Sequence, residues 1–152
     1  MADYVTLRTA EAADAPEVLD LWRRAAEDTH RPADTALAVE ALVVRDPEAL
    51  ILAVRDGVLV GSVIAGWDGW RCHLYRLAMA PECRGKGVGR LLVEAAEERF
   101  RQLGSIRVDA MVLDDNTLAH HAWRGLGYQP QAEWSRWVKS LPAPPCHHSS
   151  DS

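Results

Sequence analysis

The sequence predicts an α/β domain: one mixed, mostly antiparallel twisted sheet with helices on its faces. Three observations predict it. Two β-rich runs, Ala49 to Arg55 and Val58 to Gly66, flank Asp56-Gly57, a dipeptide suited to a two-residue hairpin. A third run, Arg71 to Ala80, follows the turn Trp67-Asp68-Gly69-Trp70 and completes an antiparallel meander. Beyond it come a helical stretch and another strand, and a strand, crossover helix and strand of this size imply one parallel pair.

In chain order, Tyr4 to Arg8 alternates and reads as a first strand. Asp14 is placed to cap the next helix, with Pro16 in the first turn and Glu17 three residues after the cap. Val18, Leu19, Leu21, Trp22, Ala25 and Ala26 then recur at helical spacing until Thr29-His30-Arg31-Pro32 breaks the pattern. A second helix is expected from near Asp34, carrying Leu37, Ala38, Ala41 and Leu42, and Asp46-Pro47 stops it. After the meander, Val88, Leu91, Leu92, Ala95, Ala96, Phe100 and Leu103 mark the clearest helix, with Gly104 as its C-terminal cap. Ile106, Val108, Ala110 and Val112 alternate as the strand beyond. Asp114-Asp115-Asn116 opens a last helix that closes at Gly127-Tyr128, and Trp134 to Leu141 reads as a final strand. Residues 142–152 carry no apolar period and are expected to form a disordered tail, which leaves 1–141 as a single domain.

The chain has 152 residues, of which 48% are hydrophobic and 26% charged, an ordinary balance for a globular domain with a sizeable core. Its formal net charge of -5 argues against a nucleic-acid partner. The apolar stretch Val58 to Trp67 is about half of what a membrane span needs, and the N-terminus lacks a basic start and an apolar signal core. Cys72, Cys83 and Cys146 form no CxxC and no even framework, so a reducing, cytoplasmic setting is expected. His120 and His121 are adjacent and point about 100° apart on a helix, so no metal is expected there.

The chemistry concentrates in Arg84-Gly85-Lys86-Gly87-Val88-Gly89-Arg90, between the third meander strand and the clearest helix. Alternating glycines bare the backbone, and a helix start offers unpaired N–H groups at the positive end of its dipole. Such a turn suits a phosphate or diphosphate. A Rossmann fingerprint fails, because Arg90 or Leu92 stands where its last glycine belongs, and a P-loop fails because Arg90 and Leu91 follow Gly89. What remains is R-x-x-G-x-G, over Arg84, Gly87 and Gly89; the bland alternative is a glycine-rich turn that only joins strand to helix.

That motif resembles the acetyl-CoA signature of the GNAT superfamily of N-acetyltransferases. A second segment, Asn116 to Tyr128, is similar to the family's N-x-x-A-x-x-x-Y-x-x-x-G-F pattern, and the order of elements matches up to Leu141. The resemblance implies that acetyl-CoA is the co-substrate, its diphosphate on the amides of Arg84, Gly85, Lys86, Gly87, Val88, Gly89 and Arg90. Main-chain groups of Leu77, Ala78 and Met79 would pair with the pantetheine arm, which needs the two parallel strands to splay apart. Asn116 would face the pantetheine, or would serve only as an N-cap. A main-chain N–H near Met79 would stabilise the developing oxyanion. The acceptor implied is a primary amine of a small molecule or peptide, and homodimers are frequent among such relatives.

One departure stands out. Trp123 occupies the position of the family's tyrosine, which is thought to protonate the departing thiolate, and an indole N–H does not give up its proton near neutral pH. That leaves Tyr75, Tyr128 or water as the acid. The attacking amine must also lose a proton to a base. His73, on one expected strand face with Tyr75, Leu77 and Met79, is a candidate base, or else a strand-end histidine with no catalytic duty. His30, Trp67, Asp68 and Tyr75 are the candidate acceptor contacts. Asp68 could hold a cationic amine or simply shape its turn. Trp22 reads as core, and Trp134 and Trp137 as packing on the core or walling the acceptor pocket. An alternative to the enzyme is a CoA-binding sensor whose catalysis has lapsed.

Overall fold

The computed structural model describes residues 4–25, 33–114 and 116–142. Five strands form one sheet in sequential order: β1 (Val5–Thr9), β2 (Leu50–Arg55), β3 (Val58–Trp67), β4 (Cys72–Met79) and β5 (Val108–Ala110). The first four pair antiparallel, and β4 and β5 pair parallel. Among the described residues, α1 (Ala15–Ala25) and α2 (Ala36–Arg45) lie between β1 and β2, α3 (Val88–Gln102) between β4 and β5, and α4 (Thr117–Gly125) follows β5. The expected mixed, mostly antiparallel α/β architecture is thus the observed one.

The β2–β3 hairpin turns on Asp56 and Gly57, both at positive φ (52° and 75°), as the Asp-Gly dipeptide predicts. Along β3, successive residues meet opposite layers. Gly61 faces Val88 and Leu92 of α3, whereas the Ser62 hydroxyl meets Trp22 of α1. The core fills both sides of the sheet, with Leu21, Val18 and Trp22 on one helix and Leu92, Val93, Ala96 and Phe100 on the other. Gly104, at φ 84°, follows the α3 C-cap and donates to Arg101 O, while Ser105 N donates to Phe100 O, so the last turn closes as expected. Tyr128 and Arg90 tie α4 to α3, through Glu97 and the Gly125 carbonyl.

Several expectations are corrected. The capping box before α1 lies upstream of its expected place: Glu11 is the cap, and Asp14 accepts from the Glu11 amide at 2.7 Å. α2 does start near Asp34, with Thr35 as its cap accepting from Ala38 N at 3.1 Å. β5 is only three residues long, and Ile106 is fully exposed. Trp134 to Leu141 forms no strand, and Trp134 and Trp137 are 76% and 93% exposed, so they pack on no core.

The largest correction concerns β4. Ile64 pairs with Tyr75, but Ser62 pairs with Ala78, so β4 holds an extra residue in a bulge. Arg76 sits there at φ 51°, a left-handed conformation unusual for a side-chain-bearing residue. The bulge inverts the alternation beyond it. His73 and Tyr75 keep the α1 side of the sheet, while Met79 pairs with Gly61 and touches Gly89 at the start of α3. His73, Tyr75 and Met79 therefore do not share a face.

Candidate active site

The glycine-rich stretch becomes a short 3-10 turn (Pro81–Cys83), a bend, and the start of α3. Gly87 is the N-cap at φ 83° with no side chain to cap the helix, and Gly85 stands at φ 78°. An added Cβ at either would meet nothing within 4 Å, so the space over the loop is open. The amides of Val88, Gly89 and Arg90 open the helix and have no intrahelical acceptor. Arg84 and Arg90 are anchored by carbonyls, of Ala25 (3.2 Å) and Gly125 (3.2 Å), while Lys86 is exposed. The arrangement is a concentrated donor site for an anion.

Beside it, the sheet opens. β5 pairs with β4 only at Cys72, His73 and Leu74, and among the described residues no strand covers that side of β4 from Tyr75 to Met79. Ala80 N donates to Val60 O at 2.9 Å across the β3 ladder. Strand alternation then turns the main-chain groups of Met79, one residue earlier, away from β3 and toward the open edge. An unpaired strand edge is a template for an extended ligand with amide groups. The donor loop and the edge meet where Met79 contacts Gly89, with Met79 Cε 3.2 Å from the Cβ that Gly89 lacks.

The candidate side chains fall into separate groups. His73 has Asp68 Oδ2 at 3.5 Å from Nε2 and Asp109 Oδ2 at 3.8 Å from Nδ1, and its ring centroid lies 5.9 Å from that of Tyr75. Asp68 shapes its turn: Oδ1 accepts from Trp70 N (2.7 Å) and Arg71 N (2.6 Å). These two amides, Arg71 first, and then His73, hold its carboxyl below the usual range. Trp67 ends β3 opposite Cys72 and packs on the core. Tyr75 is 41% exposed, and its ring lies against Gly66, where a Cβ would come within 3.2 Å. His30 lies outside the described residues.

On the α4 side, Asn116 caps the helix, its side chain accepting from Ala119 N at 3.0 Å. Trp123 packs edge-on against Tyr128 with centroids 5.0 Å apart. The Tyr128 hydroxyl donates to Glu97 at 3.2 Å, and burial, followed by the Glu97 charge, holds its proton well above the usual phenol range. Tyr128 is thereby a poor proton donor to a thiolate. Among the described residues no group of three or more His, Cys, Asp or Glu side chains is placed to hold a metal ion. No helix there is long and apolar enough to cross a membrane.

Comparison with known proteins identifies the family. The model of the acetyltransferase (GNAT) family matches residues 15–128. The chain belongs to the GNAT acetyltransferase family. An acetyltransferase of Yersinia enterocolitica is 32% identical over 126 residues, covering 82% of this chain and 88% of its own. One from Sodalis glossinidius is 32% identical over 119 residues, with 78% and 82% covered. Among solved structures, the PaiA N-acetyltransferase of Thermoplasma acidophilum in complex with coenzyme A superposes with a TM-score of 0.73 at 16% identity, covering 80% of this chain and 87% of that one. An aminoglycoside N-acetyltransferase in complex with CoA gives 0.72 at 20% identity, with 93% and 97% covered. These structures share the GNAT fold with this chain.

Residue-by-residue reading of the sequence missed Arg76 and Ser62 as neighbours of the open edge and took Trp22 as core, where it lies. Trp22 Nε1 donates to Ser62 Oγ (2.9 Å), Ser62 Oγ donates to Arg76 O (2.9 Å), and Arg76 pairs with Asp34 over the Trp22 ring. The signal available was a lone serine, Ser62, in an otherwise apolar strand.

Proposed function

We propose that this GNAT protein transfers the acetyl group of acetyl-CoA to a primary amine of a small molecule or peptide, by direct attack in a ternary complex. The observation that carries this reading is the junction of an uncapped, glycine-headed α3 with a β4 edge left open beyond Leu74. Amides of Arg84 through Arg90 would take the diphosphate, and Leu77 to Met79 the pantetheine arm. The amine nitrogen attacks the thioester carbon, the C–S bond breaks, and the CoA thiolate leaves. A main-chain N–H of β4 would bear the oxyanion.

Two protons must move. The amine's proton goes to a base, and His73 is the candidate, held between Asp68 and Asp109. It lies four residues from Leu77, roughly 13 Å along an ideal strand, so transfer from an amine at the bulge runs through water. The thiolate's proton comes from water or Tyr75, since Trp123 is a poor acid and Tyr128 is engaged by Glu97. Asp68 and Tyr75 border the acceptor side, and the reduced thiols of Cys72 and Cys83 suit a cytoplasmic enzyme.

Trp123 in place of the family's tyrosine favours a second reading, a CoA-binding sensor without turnover. A thiol-release assay with acetyl-CoA over a panel of primary amines separates the two. Turnover with any amine removes the sensor; tight acetyl-CoA binding without turnover across the panel removes the enzyme. Absence of any heat of binding for acetyl-CoA in calorimetry overturns both.

A further inference from the structure

We infer that Ser62, supported by Trp22 and Asp34, is a positioning residue that aims the Leu77 amide at the acyl carbonyl of the bound thioester; this rests on the acetyl-CoA reading above. Arg76 holds φ 51° in the β4 bulge, a left-handed conformation that a side-chain-bearing residue keeps only where the surroundings enforce it. The surroundings here grip the residue at three points. Ser62, fully buried, donates to its carbonyl at 2.9 Å. Asp34 pairs with its guanidinium, and the Trp22 ring lies 5.0 Å beneath that guanidinium. Trp22 Nε1 in turn donates to Ser62 Oγ, which fixes the direction of the hydroxyl proton toward Arg76 O.

The consequence lies in one peptide plane. In a trans peptide the N–H of residue i+1 points opposite to the C=O of residue i, and no peptide among the described residues is cis. Because the Ser62 hydroxyl, on the α1 face of β3, holds the Arg76 carbonyl, the Leu77 N–H points the opposite way, out of that face and away from β3, on the side of β4 that β5 leaves uncovered. Alternation from the Ala80–Val60 hydrogen bond places the Leu77 N–H on that same outer side. Two independent features therefore orient one donor. Met79 also faces the edge, but it adjoins Gly89 at the loop, whereas Leu77 adjoins the bulge and the His73–Tyr75 side. The oxyanion donor is thus Leu77, and Met79 serves the arm.

Infrared difference spectroscopy of acetyl-CoA carrying a 13C-labelled acetyl carbonyl, bound to the whole protein, tests this without an acceptor. The thioester carbonyl stretch of the bound ligand is expected at higher frequency in Ser62→Ala than in the native protein, while the Kd measured by calorimetry changes no more than about tenfold, the scale of one hydrogen bond. Trp22→Phe, which keeps a ring under Arg76 but removes the indole donor, shifts the band the same way by a smaller amount, and it serves if Ser62→Ala does not fold. Ser62→Thr, which retains the hydroxyl, restores the native frequency. An unchanged band in a folded, ligand-binding Ser62→Ala or Trp22→Phe overturns the positioning role. Failure of the native protein to bind acetyl-CoA overturns the functional reading beneath it.

Discussion

Gly87 and Gly57 form a matched pair within the chain. Both hold positive φ, 83° and 75°, and an added Cβ would meet nothing within 4 Å at either. Alanine at either site carries the same left-handed strain, roughly 1–2 kcal/mol. Only Gly87 heads a helix whose first amides face open space, so only there does the methyl group enter the volume proposed for the diphosphate. We expect Gly57→Ala and Gly87→Ala to lose similar stability in urea, while the Kd for acetyl-CoA rises about tenfold or more, at least 1.4 kcal/mol, in Gly87→Ala alone. Equal Kd values in the two variants would leave the loop without a role. Tyr128 gives a second residue-scale expectation. A general acid contributes about 10²–10⁴-fold, so Tyr128→Phe should retain kcat well within tenfold if Glu97 withholds that proton. A loss of a hundredfold in a folded variant would return Tyr128 to the reaction.

At the scale of elements, the capping box before α1 has a definite pH signature. Asp14 is held below the usual carboxylate range, first by the Arg8 guanidinium, which donates twice at 2.8 Å, and then by the Glu11 amide. A lowered carboxyl pKa favours the folded state when the group is ionised in both states. Its contribution is therefore present above about pH 4 and lost as the pH falls through the depressed value. Asp14→Asn should cost about 1 kcal/mol at pH 7, and its deficit in urea unfolding should shrink between pH 4 and pH 2. A deficit constant over that interval would deny the ionised box. The elements that local chemistry specifies were legible in the sequence: the Asp56-Gly57 turn, the α3 stripe and the Gly104 cap follow from residues within one or two turns of each other. The β4 bulge was not, because Arg76 carries no local mark of positive φ and its hold comes from Trp22, Asp34 and Ser62, far off in the chain. The expected last strand failed for a related reason. Trp134, Trp137, Val138 and Leu141 recur at steps of three, one and three rather than two, and none is buried. Trp134→Ala should accordingly change unfolding free energy by less than about 0.5 kcal/mol.

For the molecule as a whole, the loop and the open edge act on a single ligand only because the bulge and α3 place them side by side. A Cβ added at Gly61 would stand 3.0 Å from Val88 and Leu92, so the bare glycine lets α3 approach β3 closely, and Met79 reaches Gly89 from the strand that ends in the loop. A ligand spanning both parts stabilises the sheet and the helix together, so its binding free energy adds to that of folding. At a free concentration 100 times its Kd, acetyl-CoA should add about 2.7 kcal/mol to the native state. For a domain of this size, that raises Tm by roughly 5–10 °C. An ADP fragment, which can occupy the loop but not the edge, gives up the second contact and should bind far more weakly, because joining two modest contacts makes the second effectively intramolecular. Scanning calorimetry with both ligands at equal concentration checks this. Equal shifts in Tm would mean that the open edge of β4 contributes nothing, and that the splay between β4 and β5 is an incident of packing rather than the seat of the pantetheine arm.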